Sequence, residues 1–208
     1  MTQTKIIQSL AEYLIFEEFI KLKPSEGLWE LHDGVLVEMA QPKGKHEIVV
    51  SRIAGDLTLE FKRLNLLYGI PSKVLVKSAF NQAAYLPDVL LLNLDNLVNE
   101  PYWDDYSTVT LAKSIPLVIE VVSTNWRDDY YKKYGEYSGI GISEYWIIDY
   151  LGLGGKEFTG NPKQPTVTVC LLDDESEYLK TVYRGDEVIQ SRLFPELKFS
   201  ANYLFGFS

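Results

Sequence analysis

Two hydrophobic periods alternate along this chain, and the places where one gives way to the other outline its elements. Over residues 9–23, Leu10, Tyr13, Leu14, Phe16, Phe19 and Ile20 recur at three- and four-residue intervals, which predicts a short amphipathic helix ended by Pro24. Two β-prone runs, Leu28-Trp29-Glu30-Leu31-His32 and Val35-Leu36-Val37-Glu38-Met39, then flank Asp33-Gly34, the strongest short signal for a hairpin. A long helix is expected over residues 45–67, with Ile48, Ile53, Leu57, Phe61 and Leu64 as its apolar face and Gly69-Ile70-Pro71 past its end. Strands follow over 73–80, 86–92 and 116–123. The stretch 93–114 carries little pattern beyond one helical turn at Leu94-Asp95-Asn96-Leu97-Val98. Helical spacing returns over 125–138, with Gly139 as the residue that closes it. A short apolar strand over 143–150 precedes further β-like runs at 166–172, 178–183 and 187–190, and the tail 193–199 reads as an edge strand. Strands bracketing helices, with a hairpin first and a β-rich end, predict an α/β fold: a mixed β-sheet flanked by helices, with an N-terminal β-hairpin. No linker or shift of composition divides the 208 residues, so one domain spanning 1–208 is expected.

Composition narrows the classes. With 46% hydrophobic and 24% charged residues, the chain has the make-up of an ordinary globular protein rather than a disordered one. No apolar stretch approaches a membrane span, and the first residues run too soon into Glu12, Glu17 and Glu18 for a secretory signal, so a cytoplasmic location is expected. Cys170 is alone, in an alternating apolar run, and reads as a small core hydrophobe. With only His32 and His46 besides, a structural zinc site is not supported. The net charge of -9 argues against the broad basic surface of a sequence-independent nucleic-acid binder. Basic residues do gather locally, at Lys43, Lys45, Arg52, Lys62 and Arg63 and again at Arg127, Lys132 and Lys133.

The candidate chemistry lies in two carboxylates, Asp88 and Glu120, each at the end of an apolar strand-like run. Glu120 is flanked by β-branched residues, where an unpaired charge costs several kcal/mol, roughly, or remains protonated. Two convergent carboxylates usually share a divalent metal ion, and the backbone carbonyl of Val121 would complete the protein's share of an octahedral oxygen site. Such a site suits phosphodiester hydrolysis, which needs charge neutralisation at the phosphoryl oxygens, an activated water and help for the leaving oxygen. A lysine commonly accompanies these acids two residues after the glutamate, on the same strand face, but here Val122 holds that position. Asp129, Lys133 and Tyr137 are spaced four apart and would share one helical face, so Lys133 can reach the same pocket from the following helix, with Lys132 as the alternative. Each residue also has an ordinary reading: Asp88 as a strand-start aspartate after Pro87, Lys133 in an i,i+4 ion pair with Asp129, Glu30 and Glu38 on a polar hairpin face, and the tyrosines at 130, 131, 134, 137 and 145 with Trp146 as a packed seam.

Taken in order, these motifs resemble a known family, the Uma-type bacterial restriction endonucleases, once known only as a domain of unknown function, within the PD-(D/E)xK nuclease superfamily. The resemblance runs through Trp29 to Met39, His46-Glu47-Ile48-Val49-Val50, Pro87-Asp88-Val89, Glu120-Val121-Val122-Ser123, Asp129 with Lys133 and Tyr137, Glu144 to Asp149, and Phe194-Pro195-Glu196-Leu197. It implies a restriction-endonuclease-like fold, dependence on Mg²⁺ with Mn²⁺ as a substitute, and Asp88, Glu120 and Lys133 as the catalytic set, the lysine having moved from strand to helix. By the same resemblance His46 is a supporting or metal-facing group, and Glu30 belongs with the hairpin. The chain departs from the family at Ser123-Thr124-Asn125-Trp126, where members usually have Ser-Pro-Ser, so the loop into the lysine helix is expected to differ in shape.

Two function classes follow. One is a metal-dependent DNA endonuclease, with DNA as partner, a homodimer to cut two strands, and room for a separate recognition subunit. The other is a nuclease-fold module that binds a protein or nucleic acid without cutting.

Overall fold

In the computed structural model, which describes residues 13–206, the strands form two sheets rather than the one expected. The hairpin comes first: β1 (Trp29–His32) pairs antiparallel with β2 (Val35–Glu38), and both turn residues, Asp33 and Gly34, have positive φ. That backbone is the type I′ turn whose twist matches the strands. β1 continues into β5 (Ala84–Tyr85), β4 (Leu75–Lys77) and β7 (Thr108–Val109), giving a five-stranded sheet in the order β2-β1-β5-β4-β7. The second sheet, six strands in the order β11-β10-β9-β8-β6-β3, holds β3 (Tyr68–Gly69), β6 (Val89–Asn93), β8 (Leu117–Val121), β9 (Glu144–Asp149), β10 (Thr166–Leu172) and β11 (Tyr178–Tyr183). β8 and β9 run parallel, and their neighbours antiparallel.

Among the described residues six α-helices surround the sheets: α1 (Phe16–Leu22), α2 (Gly44–Arg63), α3 (Trp103–Tyr106), α4 (Lys133–Ile140), α5 (Lys156–Thr159) and α6 (Ala201–Phe205). Residues 9–12 of the expected first helix lie outside the described residues. No described helix is long and apolar enough to cross a membrane.

The six-stranded sheet is apolar on both faces, as a sheet covered on both sides must be. Ile119 and Val121 of β8 pack with Val49, Ile53, Leu57 and Phe61 of α2 in one core. Val118 and Val122 lie in a second core, with Leu90 and Leu92 of β6, Tyr137 of α4 and Cys170 of β10. Strand alternation therefore sends Glu120 to the α4 side with Val118 and Val122, and Asp88 to the same side as Leu90 and Leu92. Cys170 is buried in that core, as its sequence setting predicts.

Several boundaries differ from the sequence reading. α2 ends at Arg63 instead of 67 because Asn65 takes a left-handed conformation. Its buried stripe is His46, Val49, Ile53, Leu57 and Phe61, while Ile48 is 61% exposed. The lysine helix closes at Gly141, whose φ of 91° only glycine adopts freely, and not at Gly139. It also opens differently, with a π-helical turn over Asp128–Lys132 ahead of α4. The expected strand over 73–80 shrinks to β4, and 93–114 contains two 3₁₀ turns, α3 and β7. Residues 187–190 contribute a single bridge, Val188 to Ser200, and 193–199 form no strand.

Candidate active site

The register of β6 on β8 brings the two acids together. Val89 pairs with Ile119 and Leu90 with Val118, so one step further Asp88 comes opposite Glu120. Asp88 Oδ2 accepts the Val121 N–H at 2.7 Å, which fixes the aspartate beside the peptide that follows Glu120. His46 reaches the same point from the first turn of α2: its Nε2 donates to the Val121 carbonyl at 3.0 Å and lies 3.4 Å from Asp88 Oδ2. Its Nδ1 is 3.2 Å from Glu47 Oε1. Both ring nitrogens thus face acceptors. Burial works against a charged ring, but Asp88, Glu47 and the Val121 carbonyl outweigh it and raise the His46 pKa to about 9.

Lys133 enters from α4. Its ammonium is 3.0 Å from Glu120 Oε2, 3.5 Å from Asp129 Oδ1 and 3.9 Å from Glu30 Oε1. It also sits 5.8 Å from the centre of the Tyr85 ring. Burial disfavours the ammonium, yet Glu120, Glu30, Asp129 and Asp88 together hold its pKa well above the usual lysine value, so it stays charged. Tyr137 donates from its hydroxyl to Glu120 Oε1 at 2.8 Å, fixing the carboxylate from the other side. Glu120, only 2% exposed, is pushed well above the usual carboxylate range by burial, and Asp88, Asp129 and Glu30 add to this against the pull of Lys133.

Every predicted site residue therefore converges here: Asp88, Glu120, Val121, Lys133, His46, Glu30, Asp129 and Tyr137. Lys132 does not; it points to the hairpin turn and pairs with Asp33 at 3.0 Å. Glu30 is buried and Glu38 exposed, so the hairpin does not present a uniform polar face. Sequence reading missed Tyr85 and His32. His32 is two residues from Glu30 and so on the same strand face, a signal that was present.

A cavity of about 230 Å³ opens onto the cluster, lined by His46, Asp88, Glu120, Val121, Asp129 and Lys133 together with residues 39–43. Among the described residues, no three His, Cys, Asp or Glu side chains are grouped as a metal site. Asp88, Glu120 and Val121 all line this cavity, and the Val121 carbonyl accepts from His46.

Asp129 supplies a pH test of this environment. Burial raises its pKa from 3.8 to about 7, against the attraction of Lys133. A raised acid stabilises the fold fully below its unfolded value and loses that contribution as pH climbs through the folded one. In EDTA, the melting temperature of the wild type should therefore decline between about pH 4 and 7, and Asp129→Asn should flatten the decline. A parallel decline in both proteins would show that Asp129 is not its source.

The two mixed-direction sheets flanked by helices, the early hairpin and the strand-borne acids with a lysine beside them define a member of the PD-(D/E)xK-like nuclease superfamily, with a restriction-endonuclease-like architecture. The chain belongs to the Uma2 family, described as "Putative restriction endonuclease", whose model matches residues 16–202. Among solved structures it is similar to one described as a putative nuclease belonging to DUF820 from Anabaena variabilis, with 18% identity, a TM-score of 0.70, and coverage of 93% of this chain and 98% of that one. No curated protein matches it.

Proposed function

We propose that this protein is a divalent-metal-dependent endonuclease that hydrolyses phosphodiester bonds in DNA. The observation that carries this reading is the meeting of Asp88 and Glu120 across β6 and β8, with Lys133 3.0 Å from Glu120 at the wall of a cavity. The donors suit a hard cation, because Asp88, Glu120 and Val121 offer only oxygen atoms and line one cavity. Carboxylate and carbonyl oxygens are what Mg²⁺ prefers, and a cation beside Glu120 would favour the ionised carboxylate that burial now disfavours. Asp88, Glu120 and the Val121 carbonyl would hold Mg²⁺, with Mn²⁺ as an acceptable substitute. When bound, the ion supplies positive charge for the phosphoryl and leaving oxygens.

The remaining work falls to side chains. Lys133, kept as an ammonium, donates hydrogen bonds and orients the attacking water or a phosphoryl oxygen rather than removing a proton. Tyr137 locks Glu120 through Oε1, leaving Oε2 turned to Lys133. His46 holds the Val121 peptide and Asp88 in register from outside the sheet. A homodimer would give two such sites for the two strands of a duplex, and a separate subunit would supply the sequence recognition that an acidic chain makes poorly.

The decisive experiment measures Mn²⁺ binding by calorimetry and nicking of supercoiled plasmid in Mg²⁺. The wild type should bind and nick, and Asp88→Ala and Glu120→Ala should lose both. A wild type that binds no divalent ion and cuts nothing refutes the endonuclease. DNA or protein binding that survives both substitutions and EDTA would instead favour a non-catalytic nuclease-fold module, the reading suggested by Val122 in the strand-lysine position and the net charge of -9.

A further inference from the structure

Glu30 is the one acid of the cluster delivered by the hairpin sheet rather than by β6, β8 or the turn leading into α4. It is 1% exposed, and a carboxylate so deeply buried needs a partner for each oxygen. Oε1 accepts the backbone N–H of Leu86 at 2.8 Å and lies 3.9 Å from the Lys133 ammonium. Oε2 lies 2.6 Å from His32 Nε2. Burial opposes the charged form, but Lys133, His32 and the Leu86 N–H together keep the Glu30 pKa below the usual carboxylate value. The His32 ring is itself held, edge-on to Tyr85 with centroids 5.0 Å apart.

This arrangement gives Glu30 two attachments to the candidate active site. Through Leu86 it holds the backbone two residues before Asp88, and through Lys133 it competes with Glu120 for the ammonium. What fixes the carboxylate between these tasks is His32, which occupies the other oxygen. We propose that His32 is a positioning residue: acting through Glu30, it keeps the start of β6 and the Lys133 ammonium in register with Glu120. The inference rests on the endonuclease reading for its catalytic consequence, but the geometric coupling stands apart from it. Without His32, Oε2 is left buried without its partner. The carboxylate then turns toward Lys133, drawing the ammonium from Glu120 and loosening Leu86.

The test compares wild type, His32→Leu and His32→Gln for Mg²⁺-dependent plasmid nicking under steady-state conditions. His32→Leu should lower kcat about tenfold with KM changed less than about twofold, because the loss is one of alignment and not of DNA contact. His32→Gln, whose amide still offers a donor to Oε2, should recover most of that loss. A His32→Leu kcat within twofold of wild type, a loss confined to KM, or a His32→Gln no better than leucine would each overturn the proposal.

A second measurement does not depend on cutting. A double-mutant cycle of His32→Leu with Lys133→Met, read by thermal melting in EDTA, tests two side chains that share Glu30 as a partner. Their shifts should depart from additivity by about 2 °C or more if Glu30 links them. Additive shifts overturn the linkage. A non-additive cycle in a protein that neither binds Mn²⁺ nor nicks DNA would keep the linkage while refuting the endonuclease.

Discussion

Replacing Lys133 with methionine is expected to reduce Mg²⁺-dependent cleavage by about a thousandfold, the scale seen when a preorganised charge is removed from a reacting centre. It should also cost about 3–5 kcal/mol of stability, since breaking a buried ion pair leaves the partner charge uncompensated. Here the abandoned groups are Glu120, Asp129 and Glu30, all within 3.9 Å of the same ammonium. Methionine keeps nearly the same length and apolar stem, so the loss reports charge rather than a cavity. In EDTA near pH 8 the melting temperature should fall by roughly 10 °C. Lowering the pH to 5 should narrow that gap: acids with raised pKa values stabilise the fold while protonated and lose this as pH rises, and without the ammonium they rise further. Equal melting at pH 8, or cleavage at wild-type rate, would contradict the central place given to Lys133.

The second large effect lies far from the chemistry. Phe194 sits in a segment with no regular secondary structure, yet it is fully buried against the α2 side of the six-stranded sheet. The segment is stitched down by Glu144, whose carboxylate accepts the Arg192 and Leu193 N–H groups at 3.0 and 2.9 Å and the Trp146 indole N–H at 2.7 Å. Phe194→Ala should therefore cost about 3–5 kcal/mol in denaturant unfolding, as a core phenylalanine does. Leu179→Ala, in β11 but exposed, should stay within about 0.5 kcal/mol of wild type. A small loss at Phe194 would mean that the tail packs loosely and that Glu144 alone secures it.

Where structure follows from neighbouring residues, the sequence was readable. Asp33-Gly34 announced its hairpin, and 166–172 and 178–183 their strands, because a tight turn and two-residue alternation are local, whereas the antiparallel register that sets Asp88 opposite Glu120 joins strands on either side of residues 94–116. The burial of His46 was also within reach, since 46, 49, 53, 57 and 61 form a continuous helical stripe, whereas starting the stripe at Ile48 put it on the wrong side. α6 carried its own markers too: Ser200 caps its start by accepting the Tyr203 N–H, and Gly206 closes its end, but five residues are too few for periodicity to register. What could not be read came from distant partners. Glu30 alternates as a solvent-facing residue would, yet it is buried beside Leu86 and Lys133, both distant in sequence. The extra residue in the π-helical turn was equally hidden, because a four-residue spacing of Asp129, Lys133 and Tyr137 fits either helical winding. The tail compacts without a strand: the Arg192 and Leu193 N–H groups go to the Glu144 carboxylate and that of Phe194 to the Ser191 hydroxyl instead of a neighbouring ladder.

The division of the strands into two ladders sets how this molecule should fail under stress. Glu30 and His32 ride on one ladder and Asp88 and Glu120 on the other, joined by packed side chains and the short link from β5 to β6 rather than by a shared row of backbone hydrogen bonds. A brief parting of the two would scatter the acids while each ladder survived whole. Heating should accordingly silence the protein some degrees before it melts, and cooling should revive it without any refolding.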